Sequence, residues 1–313
     1  MLTFILRRLA SGVILLFVIS FLAFALLYLG GGDIARRILG ENATAETVAQ
    51  RAEELGLNRP FFVQYWEWLT SALTGDLGRS WFTGELVTVG VSGRVAVTLS
   101  LVIGATLLSA IVAVLLGVLA ARRGGGVDAG VQIFSLIGFA IPGFLIALML
   151  VLVFAINLGW FKATGYIPIS TSVVGWLSSV TLPIIALSIG AIATVAQQVR
   201  GSVIDAMSRD YVRTLRSRGL PANSVVYKHV LRNAGGPALA VLAVQFIGLL
   251  GGAVIVEQIF AIPGMGQLSV RATTLGDIPV VMGLVIAFAI IVVVVNLLID
   301  LAQAALNPKV RLS

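Results

Sequence analysis

Residues 278–299 read IPVVMGLVIAFAIIVVVVNLLI, twenty-two positions without one charged side chain. At 1.5 Å per helical residue such a run matches a hydrocarbon core of roughly 30 Å. It reads as a helix that crosses a membrane. A transmembrane barrel is excluded, because barrel strands are short and alternate in polarity, whereas Leu145–Phe154 and Val280–Val295 alternate with nothing.

Five further charge-free stretches surround it: Leu9–Leu29, Val95–Ala121, Ala129–Phe161, Ala163–Val199 and Asn233–Val256. Two of them, 129–161 and 163–199, exceed one span and must each include a turn. Asn157, Gly159 and Trp160 mark the end of one helix, and Gly165 and Pro168 the approach to the next. The expected fold is an all-α membrane protein, a single domain over 1–313 with six transmembrane helices at about 9–29, 95–121, 131–155, 177–199, 235–256 and 279–300. Composition agrees, since 58% hydrophobic and 11% charged residues lie far from the balance of a water-soluble domain. The first run, 21 residues behind Arg7 and Arg8, is longer than a signal-peptide core of about 7 to 15 residues, so an uncleaved first helix is expected.

Charge sets the orientation. With the N-terminus inside, the inner segments hold thirteen cations and four acids and the outer segments eight cations and ten acids, so the +7 total divides into about +9 inside and −2 outside. Lys and Arg near helix ends are retained on the cytoplasmic side, which places both termini in the cytoplasm. The cations sit where topology wants them, and no base-reading motif is present, so no nucleic-acid partner is expected. Two polar excursions remain: a helical segment at 30–94, outside and between helices 1 and 2, and a cytoplasmic loop at 200–232.

Several chemistries are excluded. Without cysteine there are no disulfides, thiolate metal sites or cysteine nucleophiles. His229 is the sole histidine, and the lysines Lys162, Lys228 and Lys309 never follow glycine, so no phosphate-cradling loop of the Gly-Lys-Ser/Thr kind exists. Asp300, Glu257 and Arg94 lie at span ends, where they are expected to reach the interface, and no mid-span proton relay is visible. A chain without catalytic, cofactor or metal residues is not expected to be an enzyme.

The inner loop reads SRDYVRTLRSRGLPANSVVYKHVLRNAGGP from Ser208. Arg209, Arg213 and Arg216 fall at i, i+4 and i+7, and Tyr211 with Leu215 forms a neighbouring apolar pair. Gly219 supplies a stop, and Pro221 suits the first turn of a second short helix carrying Val225, Val226, Tyr227 and Val230. Taken alone, such arginines could equally enforce orientation or touch anionic lipid.

Asp210 to Gly219, followed by His229-Val230-Leu231-Arg232-Asn233-Ala234 and Pro237, resembles the "EAA" loop of ABC-importer permeases, and in detail the first permease subunit of the dipeptide/oligopeptide/nickel family. LGLNRPFFVQYWEWL (55–69), the motif Gly75-Asp76-Leu77-Gly78-Arg79-Ser80 and GGAVIVEQIFAIPGMGQL (251–268) match the same family in the same order. The family often has alanine where this chain has Leu215. The resemblance implies a type I importer permease fold in a prokaryotic cytoplasmic membrane, moving dipeptides or oligopeptides. It implies an ATPase-coupling loop formed by Asp210, Tyr211, Arg213, Thr214, Arg216, Arg218, Gly219, His229 and Arg232. It also implies a receptor-facing outer mouth of Gly75 to Ser80 with Pro263 and Gly264. The partners implied are a second related permease subunit, two cytoplasmic ATPase subunits that carry ATP and magnesium, an external substrate-binding protein, the peptide substrate and the lipid bilayer. Nickel complexes or glutathione-like compounds fit the same resemblance, and the residues alone leave a stand-alone secondary transporter or channel open. Glu257–Met265 is expected to form a turn or re-entrant element. In 30–94, Glu46 to Leu57 suggests one helix and Pro60 opens another, in which Phe61, Tyr65 and Trp68 share an apolar stripe that reads as core.

Overall fold

The computed structural model describes residues 2–30 and 34–306. Lys309 and Arg311, counted above among the inner cations, lie outside the described residues. In chain order the helices are α1 (Leu2–Gly30), α2 (Ile34–Leu39), α3 (Ala45–Glu54), α4 (Phe61–Leu73), α5 (Val87–Arg123), α6 (Gly125–Ala140), α7 (Gly143–Leu150), α8 (Val173–Met207), α9 (Asp210–Ser217), α10 (Ala222–Ser224), α11 (Leu231–Ile259), α12 (Met265–Leu275) and α13 (Ile278–Leu306). Wider π-helical turns continue α7 through Val151–Asn157 and join α10 to α11 through Val225–Val230. Extended pairing among the described residues is limited to one bridge between Arg79 and Leu86.

Five stretches are helical, long and apolar enough to cross a membrane: α1, α5, α8, the α10–α11 run Ala222–Ile259, and α13. The expected third span, 131–155, is instead a pair of helices: α6 and α7 meet at 95° across Ile141 and Pro142. Proline has no N–H to continue the ladder and forces its predecessor out of helical geometry, and Ile141 is extended at ψ 119°. Pro183 and Pro237 stay inside α8 and α11, where neighbouring helices and local backbone adjustment tolerate the missing donor.

Two compact units emerge. One comprises Thr98–Ile262 with the α13 end from Val294, and the other Leu2–Val97 with Pro263–Val293. In the first, α8 is the central helix and packs against α6, α7 and α11. Its sequence explains this place: Ala186, Ala191, Ala193 and Ala196 are buried, and small side chains let backbones approach without a hydrophobic driving force. Gly117 of α5 shows how close the approach is, since a Cβ there would lie 2.8 Å from both the Ala196 carbonyl oxygen and Val199 Cβ.

The second unit holds α1, α2, α3, α4 and α12 with parts of α5 and α13. Thr44 caps α3, its hydroxyl accepting from Thr47 N–H at 3.3 Å. The α4 stripe is core as read: Tyr65 is buried in a cluster with Phe24, Ile34, Ile278 and Met282, and Phe61 and Trp68 pack against it. Phe21 meets Tyr65 edge-on at 5.3 Å, and the Tyr65 hydroxyl is hydrogen-bonded to Ser20 at 3.0 Å.

Candidate functional site

The loop expected at 200–232 contains less loop and more helix. α8 runs on to Met207 because Val203 and Ala206 continue its buried face. Only α9 is a separate short helix, since nothing after Val230 interrupts the run into α11.

α9 has one apolar foot and one cationic back. Val212 is 1% exposed and sits in a cluster with Val199, Val203, Ala206, Val225, Val226, Val230 and Ala234, flanked by Tyr211 and Leu215. Asp210 in the first turn and Arg216 in the last complement the helix dipole. Gly219 ends the helix at φ +78°, a left-handed turn that glycine adopts without steric cost, with the Leu220 N–H donating to the Leu215 carbonyl at 3.3 Å. Arg213, Thr214, Arg216, Arg218 and Arg232 are exposed and His229 is half-buried. No carboxylate among the described residues forms a salt bridge with Arg213, Arg216 or Arg218. Arg209 is the residue before the helix rather than its first turn, and Arg218 the residue after it. Asn233 Nδ2 donates to the Tyr211 hydroxyl at 3.2 Å and to the His229 carbonyl at 3.0 Å. Beside this bond lies a cleft of about 410 Å³ lined by Ser202, Asp205, Arg209, Tyr211, Asn233 and Pro237.

Two braces hold the surroundings of α9, and neither was legible in the sequence. Arg200 on α8 grips Asp128 on α6 with two hydrogen bonds, the second at 2.6 Å. Arg122 at the end of α5 donates to Asn223 Oδ1 at 2.7 Å and to the Tyr227 hydroxyl at 3.3 Å, with its guanidinium 5.6 Å from the Tyr227 ring centre. The only signal available was a lone acid or cation at the edge of an apolar run.

In the other unit, the Gly75–Ser80 motif is a clasp. Asp76 accepts from the Gly78 N–H at 2.8 Å, and Gly78 turns at φ +81°. Ser80 then donates to Asp277 Oδ2 at 2.5 Å while the Trp81 N–H reaches Oδ1 at 3.2 Å. Asp277 is 3% exposed, so the start of α13 is tied to the motif through a buried, charge-assisted bond. Of the expected mouth residues, Gly75, Asp76, Arg79 and Pro263 are exposed, Leu77 and Gly78 half-buried, and Ser80 and Gly264 buried. Gly264 precedes α12 as its cap.

One expectation is overturned in the first unit. Glu257 does not reach an interface: it is 0% exposed and accepts a hydrogen bond from Thr98 Oγ1 at 2.6 Å. A hydroxyl donor 159 positions away replaces the water that its place near a span end suggested.

Residues 113–312 match the family described as binding-protein-dependent transport system inner membrane component, and residues 1–102 match the N-terminal family of the same membrane components. A putative peptide transport system permease protein of Brucella abortus is 38% identical over 308 residues, 98% of each chain. The oligopeptide transport system permease protein AppB of Bacillus subtilis is 33% identical, covering 99% of this chain and 100% of its own length. The glutathione transport system permease protein GsiC of Escherichia coli is also 33% identical, over 99% of both. In fold, a solved inward-facing structure of the MetNI methionine ABC transporter matches with a TM-score of 0.55 at 17% identity, over 69% of this chain and 96% of that one. The chain therefore belongs to the family of binding-protein-dependent transport system inner membrane components.

Proposed function

We propose that this chain is one of two related permease subunits of an ATP-driven peptide importer. It crosses the inner membrane six times, with the α6–α7 pair serving as the third span, and keeps both termini in the cytoplasm. Residues 30–94 form the outer helical insertion under an external substrate-binding protein, with Gly75, Asp76, Arg79 and Pro263 open to it. Two ATPase subunits below hold ATP and magnesium, while this chain binds no cofactor. Peptide is the substrate class favoured by relatives named for peptide and oligopeptide transport at 33–38% identity across nearly the whole chain.

One observation carries the coupling role. α9 and the residue that caps its end present Arg213, Arg216 and Arg218 without acidic partners among the described residues, on a foot of buried valines. Unneutralised cations on a stiff support suit a groove lined by carboxylates, which steers and registers a docking partner. A lever seated this way transmits motion because its foot is packed rather than hinged. A coupling free energy on the order of 1–3 kcal/mol then biases which side of the path is open.

Charge reversal tests the assignment. Arg213→Glu with Arg216→Glu is expected to leave membrane insertion intact while abolishing capture of the ATPase subunits and peptide uptake in reconstituted vesicles. Unchanged peptide-stimulated ATP hydrolysis and uptake in that variant would refute the docking role. Uptake of a defined panel of di-, tri- and pentapeptides and glutathione by the assembled importer settles substrate length.

A further inference from the structure

From Gly190 to Gly201, α8 alternates between buried apolar residues and a single open strip. Ala191, Ile192, Ala193, Val195, Ala196 and Val199 are buried, and the incompletely buried residues are Gly190, Thr194, Gln197, Gln198, Arg200 and Gly201. Gln198 is engaged with Ser202 at 3.1 Å and Arg200 with Asp128. What remains is Gly190, Thr194, Gln197 and Gly201, spaced i, i+4, i+7 and i+11, one stripe of an α-helix. On α11 Gln245 and Gly248, three positions apart on one face, are likewise incompletely buried, flanked by Val241 and Gly252, which pack toward α8.

The two stripes share one region of the unit. A Cβ at Gly252 would lie 3.4 Å from Leu187 Cδ2, and Val203 and Ala206 share a core with Val230 and Ala234. These two anchor points make α8 and α11 antiparallel, so Gln197 lies level with about residues 240–241 of α11, and Gln245 little more than about one helical turn from it. Neither glutamine carboxamide has a hydrogen-bond partner among the described residues. At Gly201 and Gly248 nothing lies within 4 Å of the missing Cβ, so neither glycine is required for packing inside this chain.

An exposed apolar strip has a different composition in the same molecule. The exposed ridge of α5 is Ile103, Leu107, Ile111 and Leu115, the residues hydrocarbon favours. Polar side chains at that depth are costly against lipid and face a protein interior or a watery path. We infer that the Thr194–Gln197 strip of α8 and the Gln245–Gly248 strip of α11 are this subunit's wall of the substrate path, and that the two carboxamides hydrogen-bond the backbone amides of the passing peptide. Carboxamides pair with amide N–H and C=O groups irrespective of side chain, which suits a path for peptides of varied sequence. The glycines leave room for those side chains. This inference rests on the peptide-importer reading above.

The absence of cysteine from the chain makes a direct test available in the assembled importer, reconstituted in lipid nanodiscs. Single substitutions Thr194→Cys, Gln197→Cys, Gln245→Cys and Gly248→Cys are compared with Leu107→Cys and Leu115→Cys on the α5 ridge. A charged, water-soluble methanethiosulfonate reagent is expected to modify the first four and spare the ridge, and trialanine together with the binding protein is expected to slow that modification. In uptake, Gln197→Leu and Gln245→Leu are each expected to raise the half-saturating trialanine concentration about tenfold, the worth of one lost hydrogen bond, with Gln→Asn restoring part of it. Thiols at 194, 197, 245 and 248 as inert as those on the ridge would overturn the inference, placing these strips against protein or lipid. So would labelled thiols combined with unchanged half-saturation in both Gln→Leu variants. If the parent importer moves no peptide at all, the failure lies with the substrate assignment, and thiol labelling still reports on the wall.

Discussion

Val212→Ala probes the stiffness on which the lever depends. Val212 is 1% exposed and is the one fully buried side chain of α9. Truncation removes two methyl groups at roughly 0.8 kcal/mol each, and the void left between Val203, Val226 and Val230 raises the loss to about 2 kcal/mol. Since each 1.4 kcal/mol is tenfold, undocking of α9 becomes about thirtyfold more frequent. Amide hydrogen exchange by mass spectrometry, on the nucleotide-free importer in nanodiscs, reads this directly. The Val212 to Ser217 amides are expected to exchange up to about thirtyfold faster, with those of α8 and α13 unchanged, because local opening has its own free energy. Peptide-stimulated ATP hydrolysis should fall in parallel although no charge has been altered. Unaltered exchange across α9 would show that the valine foot does not hold the helix, and the lever argument would fail with it.

Three other outcomes follow from the packing. Gly117→Ala forces a methyl against the Ala196 carbonyl and Val199 and is expected to cost about 1–3 kcal/mol. Gly93→Ala on the same helix has open space around it and should gain up to about 1 kcal/mol from helix propensity; detergent melting curves that fail to rank the pair in this order contradict the close approach. Ser80→Ala leaves buried Asp277 with one donor fewer and should destabilise the second unit by about 1–3 kcal/mol, read as faster proteolysis of the 75–86 loop than in Thr83→Ala. For Asp128 and Arg200, a double-mutant cycle with Asp128→Asn and Arg200→Gln is expected to give a coupling of about 0.5–3 kcal/mol, each single variant melting lower than additivity with the double predicts. A coupling of zero would mean that the ion pair contributes nothing in solution.

Local features of the chain were legible wherever a single segment decides its own state. Leu9–Leu29 and Ile278–Ile299 need no partner to be helices in lipid, because every backbone group must then be satisfied within the segment. Pro60 before α4 and Gly219 after α9 announce helix ends through backbone chemistry confined to a few residues, whereas the Thr44 cap of α3 emerged only in the structure. The stripe Phe61, Tyr65, Trp68 reads as core from its period. Legibility stopped where a contact joins distant positions. Arg200 meets Asp128 across 72 residues, Glu257 meets Thr98 across 159, and Asp277 meets Ser80 across 197, and no periodicity carries such pairings. Glu257 near a span end therefore read as interfacial, whereas Thr98 gives it a partner indoors.

Sequence by itself determined that the chain is helical, that its solvent is lipid, that Pro60 opens one helix and Gly219 closes another, and through its ordered motifs which family it belongs to. Tertiary structure alone decided that of the prolines at 142, 183 and 237 only Pro142 breaks its helix, that α9 stands on Val212 while Arg213 and Arg216 have no acidic partner among the described residues, and that Gln197 and Gln245 are incompletely buried on two helices that pack together. The division has a physical cause. Hydrophobic transfer and backbone hydrogen bonding act within a segment, so they are written in its composition and spacing. Which polar groups find each other depends on how helices cross, and that is fixed only when small residues such as Gly117 and Ala196 let the backbones close.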